Sequence, residues 1–176
     1  MSETRSPRTR RRRAIAAAAI ALIAVLVAVV AAFGIRRAQP VPDDAERSAV
    51  LAATRDAITA LMTFAPTDDA ATRTAVTAQL TGPLLVRYRS EGPDVVLPTA
   101  VETGASMTVQ VQGVGVDTYD TDRAEVLVFA DQMIRVPGVS TSGDGERTPI
   151  ARWALMRNVE GNWRLAALGA VGDVTR

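Results

Sequence analysis

Hydrophobic and polar positions divide this chain into three regimes: an unbroken apolar run, apolar residues at helical spacing, and apolar residues alternating with polar ones. Residues 14–35 carry no charged or hydrogen-bonding side chain over 22 consecutive positions. A helix rises about 1.5 Å per residue, so this run spans roughly 33 Å, close to the ~30 Å hydrocarbon core of a bilayer. A transmembrane helix is predicted there. A buried core helix would show a polar face, and this segment has none. A cleavable signal peptide has an apolar region of about 7 to 15 residues, shorter than this one. No clear small-x-small cleavage site precedes Arg36-Arg37. The paired arginines at residues 10–13 suggest twin-arginine export, but the rest of that signal is missing.

Helical spacing follows a linker over residues 36–42. Asp43 offers an N-cap and Glu46, three residues on, completes a capping box. Ala49, Val50, Ala53, Ala57, Ile58, Leu61 and Met62 then recur at intervals of three and four, predicting an amphipathic helix to Phe64. Pro66-Thr67-Asp68-Asp69 breaks it and caps a second helix running through Ala75, Val76 and Leu80 to Gly82. Leu84, Leu85, Val86 and Tyr88 predict a further short helix, closed by Glu91-Gly92-Pro93. Residues 94–103 read as either a helical turn or a buried loop.

At Gly104 the period changes to two. Met107, Val109 and Val111 alternate with Thr108, Gln110 and Gln112, as in a half-buried strand. A turn at 117–122, an apolar strand at 124–136, a polar loop at 137–148 and strands at 149–159 and 163–170 complete the pattern. With Glu160-Gly161-Asn162 as the last turn, 159 faces 163, 157 faces 165 and 155 faces 167. That register gathers Trp153, Leu155, Val159, Trp163, Leu165 and Ala167 on one face. A one-residue shift sets Arg157 against Arg164 and splits the tryptophans between faces, so the first register is expected. The expected fold class is α+β: helices packed on a curved four-stranded antiparallel sheet, behind one membrane span.

Charge orients this plan. Arg5, Arg8 and Arg10 to Arg13 precede the apolar run, and only Arg36 and Arg37 follow it. Positive residues stay in the cytoplasm, so residues 1–13 are expected as a cytoplasmic tail and 43–176 as one extracytoplasmic domain. From residue 38 onward, 12 arginines stand against 18 Asp plus Glu, a net charge of −6. The tail suits an anionic inner leaflet. The acidic exterior lacks the basic stripe that nucleic acid requires, and an acidic surface also serves solubility.

Missing residue types narrow the chemistry further. Without cysteine there are no disulfides or thiolates, and without histidine the commonest general base and metal ligand are lost. All 20 basic residues are arginine, so Schiff-base and P-loop chemistry have no lysine to use. Tyr88, Tyr119, Asp117 and Asp131 remain as acid–base candidates, with Asp131 notable for sitting in an otherwise apolar strand. The plainer reading has Asp131 facing solvent or paired with an arginine. Asp117, Asp120 and Asp122 alternate loosely as calcium ligands do, but lack the glycine and terminal glutamate of a calcium loop. Trp153 and Trp163 fit a ligand cavity, and fit a plain core better. No catalytic, cofactor-binding or metal site is expected.

The helices-then-sheet order, with the final hairpin carrying Gly-Asn-Trp-Arg-Leu at 161–165, resembles the cone-shaped nuclear transport factor 2-like, or cystatin-like, superfamily. A more specific resemblance is to actinobacterial Mce-associated membrane proteins. It rests on the arginine-rich tail, the single span and the helix beginning Ala-Glu-Arg-Ser-Ala-Val-Leu-Ala-Ala-Thr-Arg-Asp-Ala. Ala-Glu-Val-Leu-Val at 124–128 and Trp-Ala-Leu-Met-Arg at 153–157 add to it. The segment 82–99, with Pro83, Pro93 and Pro98, departs from that pattern. The resemblance implies a non-enzymatic accessory that stabilises or assembles an Mce-type lipid-import complex in the bacterial cytoplasmic membrane. Its partners would be the bilayer and Mce or permease subunits, with an apolar ligand at the open end of the cone as a further option. Two alternatives stand beside it. One is a structural assembly factor of another envelope machine of the type IV secretion kind, which shares the tail, the span and the exterior domain. The other is a membrane-tethered module that binds an apolar ligand.

Overall fold

The computed structural model describes residues 42–138 and 147–171, so the tail and the transmembrane helix predicted over 14–35 lie outside the described residues. Among the described residues, no helix is long and apolar enough to cross a membrane.

Helix α1 (Asp44–Met62) starts at the predicted capping box. The Asp43 carboxylate accepts the Glu46 N–H at 2.7 Å, and the Glu46 carboxylate accepts the Asp43 N–H at 3.2 Å. Its buried face is Val50, Thr54, Ala57, Ile58, Leu61 and Met62, close to the expected stripe. Thr54 is a polar residue buried in the core, and its hydroxyl donates to the Val50 carbonyl at 2.7 Å. Helix α2 (Ala70–Ala78) is capped by Asp69, which accepts the Thr72 N–H at 2.7 Å. That bond holds the exposed Asp69 carboxyl below its usual range. Helix α3 (Gly82–Glu91) carries Pro83 in its first turn, where the missing N–H costs nothing. The ambiguous stretch after it forms a 3₁₀ turn (Gly92–Val95) and a single helical turn, α4 (Ala100–Thr103).

Strands β1 (Ser106–Tyr119), β2 (Arg123–Arg135), β3 (Thr148–Val159) and β4 (Asn162–Ala170) form one antiparallel meander in the order β1-β2-β3-β4. The expected α+β plan is the one observed. On the inner face Met107, Val109, Val126, Val128, Ala154, Met156 and Leu165 are buried together with the α1 stripe. The helical layer is also clipped to both sheet edges by main-chain bonds. Phe64 and Met107 exchange N–H···O bonds of 2.9 and 3.0 Å at the β1 edge. At the β4 edge, Leu165 donates to the Gln79 carbonyl and accepts from the Thr81 N–H, both at 2.9 Å. Pairing with segments of its own chain satisfies edge groups that would otherwise invite other strands. Register shifts between Val111 and Gly113 and between Val116 and Thr118 mark bulges in β1, which increase local twist.

The last hairpin departs from the expected register. Its turn has only two residues, Glu160 (φ 55°) and Gly161 (φ 83°), so Val159 pairs with Asn162. Positive φ at both central positions matches the twist of the flanking strands, which favours this tight turn over a three-residue one. Arg157 consequently lies opposite Arg164, and Asn158 opposite Trp163. A bulge between Leu155 and Met156 then restores the expected pairing of Leu155 with Ala167. The two tryptophans therefore occupy opposite faces. Trp163 faces the helices and Trp153 faces outward, so they share neither a core nor a cavity.

Candidate functional site

The four acid–base candidates do not converge. Tyr119 is buried at the end of β1, with its ring centroid 5.9 Å from that of Trp163 at 48°. Burial, then the neighbouring Glu46 carboxylate, pushes its hydroxyl above the ordinary phenol range. Asp131 stands on the outer face of β2, where its Oδ2 accepts the Gln112 amide at 2.9 Å. It thus faces outward, one of the two plainer expectations, and its partner there is an amide and not an arginine. Asp117 is exposed at a β1 bulge. Asp120 stays in its own turn, accepting the Thr121 N–H at 2.8 Å, and Asp122 lies 3.9 Å from Arg157. Turn formation accounts for these acids. Among the described residues, no group of three potential ligands could hold a metal ion.

Tyr88 is the exception, because it lines a cleft of about 630 Å³ beside the C-terminal end of α1. Phe64, Ala100 and Ala105 form its buried floor, Pro66 and Pro93 flank it, and Asp68 and Arg73 reach in from the α2 side. Burial, then the Asp68 carboxylate, raises the Tyr88 hydroxyl, and Arg73 opposes that shift. Periodicity reveals none of this grouping. It arises where the breaker 66–69, the end of α3 and α4 meet, and only tertiary packing brings those segments together.

A second feature is the outer face of the sheet. Leu127 pairs with Gly115 and Trp153, and Trp153 pairs in turn with Gly169; Phe129 pairs with Gly113 and Ala151. Large apolar side chains thus stand beside glycines and alanines, with little to cover them. Phe129 is 51% exposed, and Leu127, Trp153 and Leu155 are half-buried. The sequence does carry a signal for this face. A strand with one wet side alternates, but Val126-Leu127-Val128-Phe129-Ala130 is apolar at every position, as in strands covered on both sides. Next to this band runs a row of like charges, Arg123, Arg157 and Arg164, in cross-strand register. Arg123 meets Glu125 at 2.5 Å, which relieves part of the repulsion.

No known family model matches the sequence, and no curated protein matches it. Similarity to solved structures lies in the fold. An IcmL-like type IV secretion system protein from Legionella pneumophila gives a TM-score of 0.56 at 11% identity, over 75% of this chain and 94% of that one. CagV, a VirB8 homolog of the type IV secretion system of Helicobacter pylori, gives 0.50 at 6% identity, over 70% and 98%. A Nostoc punctiforme protein described as having a cystatin-like fold gives 0.43 at 8% identity, over 75% and 96%, too distant to add weight. The α+β domain shares the fold of the first two.

Proposed function

We propose that this chain is a structural, non-enzymatic assembly component of an envelope-spanning machine of the type IV secretion kind. In this reading residues 14–35 anchor it in the cytoplasmic membrane, residues 1–13 stay inside, and the α+β domain contacts other subunits outside. The observation that carries the proposal is the fold shared with the Legionella IcmL-like protein across almost the whole of that protein. Two features of the domain support it. Among the described residues, the space between α1 and the sheet is filled by side chains, and the acid–base candidates do not gather there. The sheet also turns a band around Phe129 and Trp153 outward, the kind of exposed aromatic surface that marks a protein contact.

A second reading, the accessory of an Mce-type lipid-import complex, rests on the sequence resemblance of the helix from Glu46 and the segments 124–128 and 153–165. Both readings place the protein in a membrane assembly and differ in its neighbours. Cross-linking of the full-length protein in cells, followed by identification of the attached chains, separates them. Subunits of a secretion or conjugation channel support the first reading. Mce proteins or their permease support the second and overturn the first. Recovery of the protein without any membrane-complex subunit contradicts both.

A further inference from the structure

The cleft beside the end of α1 has a chemistry of its own. Tyr88 lines it, is only 6% exposed, and makes no hydrogen bond to any described residue. Three carboxylates line the cleft, and among the described residues each has one oxygen engaged and one without a hydrogen bond. Asp68 accepts the Ala65 N–H through Oδ2 at 2.9 Å, Asp94 accepts the Val101 N–H through Oδ1 at 2.9 Å, and Glu91 holds Arg87 through Oε2 at 3.1 Å. Arg73 is the only cation among the described residues of the lining, and its guanidinium donates to the Asp68 main-chain carbonyl at 2.6 Å. The lining is therefore net negative around an apolar floor. An anionic headgroup would meet repulsion there, and a purely aliphatic ligand would strip water from carboxylates without replacing their hydrogen bonds.

We infer that this cleft receives an arginine side chain, with its apolar neighbours, from an extended segment of a partner protein. A guanidinium supplies several donors in a planar fork, which matches free carboxylate oxygens from two directions, with a further N–H to donate to the Tyr88 hydroxyl oxygen. The flanking apolar residues cover Phe64 and Val101, the latter 65% exposed at the cleft mouth. A cleft of about 630 Å³ lies within the size range of specific binding sites and holds more than one side chain. The inference goes beyond the proposed assembly role, and it uses none of the residues of the outer sheet face.

The test uses the full-length protein in lipid nanodiscs and a dye-labelled peptide, acetyl-Leu-Arg-Leu-amide, followed by fluorescence polarisation. Saturable binding is expected, with the Leu-Glu-Leu counterpart at least about tenfold weaker. Val101→Arg, which adds a positive charge at the exposed mouth, should abolish binding while leaving the thermal unfolding midpoint unchanged. Tyr88→Phe removes one hydroxyl and should weaken binding about three- to tenfold, the effect of one hydrogen bond. Four results overturn the inference: no binding of the arginine peptide, equal binding of both peptides, binding unaffected by Val101→Arg, or displacement by agmatine at the peptide's own concentration. The last would mark a site for small amines. Failure here leaves the assembly role standing, because that role is read from cross-linked neighbours.

Discussion

The two faces of the sheet are built from the same four strands and meet opposite fates. On the inner face Val126, Val128, Ala154 and Met156 have at most 1% of their surface exposed, closed off by α1. On the outer face the alternate residues Leu127, Phe129, Trp153 and Leu155 are comparably apolar, yet no described element covers them. Hydrophobicity alone therefore does not mark the core of this domain. The inner face holds the fold together, and the outer face is available to something else.

Substitutions can break that division. Ile58 is fully buried between α1 and the sheet, so Ile58→Ala should cost about 2–5 kcal/mol, read as a lower midpoint in chemical denaturation of the full-length protein. Next in size is the start of the same helix. Asp43→Ala removes one half of the capping box and should cost about 1 kcal/mol by the same measurement. Outer-face changes should cost much less. Phe129→Ser deletes a ring that is already half exposed, so stability should fall by less than about 1 kcal/mol, while any complex that uses this face should dissociate. A loss as large as that of Ile58→Ala would mean that Phe129 belongs to the core.

The register of the last hairpin offers a finer test. Arg164 lies opposite Arg157, so Arg164→Glu should replace repulsion with attraction and raise stability by about 0.2–1 kcal/mol. With 164 facing Asn158, as in the expected register, no such gain arises.

The smallest effect is one of pH. Tyr88 and Tyr119 both titrate above the ordinary phenol value, so the folded state favours their neutral forms. Their contribution is fully present below about pH 10 and is lost as pH rises through their folded values. The unfolding midpoint should therefore fall in strongly alkaline solution, and Tyr119→Phe should lessen that fall. An unchanged alkaline slope in that variant would place the Tyr119 hydroxyl in water.

How much of this was legible in the sequence depends on how local the determinant is. The capping box at Asp43 and the stripe from Val50 to Met62 lie within one helix, and they appear where spacing puts them. The alternation in 107–111 and the apolar run in 124–136 likewise yield strands and their order. The hairpin register differs from the expected one because a positive φ at Glu160, a non-glycine residue, leaves no mark in composition, and the bulge near Met156 leaves none either. One bulge was enough to make Leu155–Ala167 come out as expected while its neighbours did not. The cleft around Tyr88 was hidden for a different reason. Asp68, Arg73 and Asp94 each look like ordinary capping or loop residues, and they become neighbours only when α2, α3 and α4 pack. The outer face was the opposite case, visible in the unbroken run 126–130 to anyone asking why a strand with one wet side fails to alternate.

The most direct measurement of the division between the faces is site-specific photo-cross-linking in living cells. A photoreactive residue at Phe129 is compared with one at Val86, an apolar position 68% exposed on α3 and away from the sheet. The predicted result is a discrete adduct from position 129 that contains a subunit of the envelope machine, and none from position 86. An identical adduct from both positions, or none from 129 where bulk cross-linking captures partners, would contradict a binding role for the outer face.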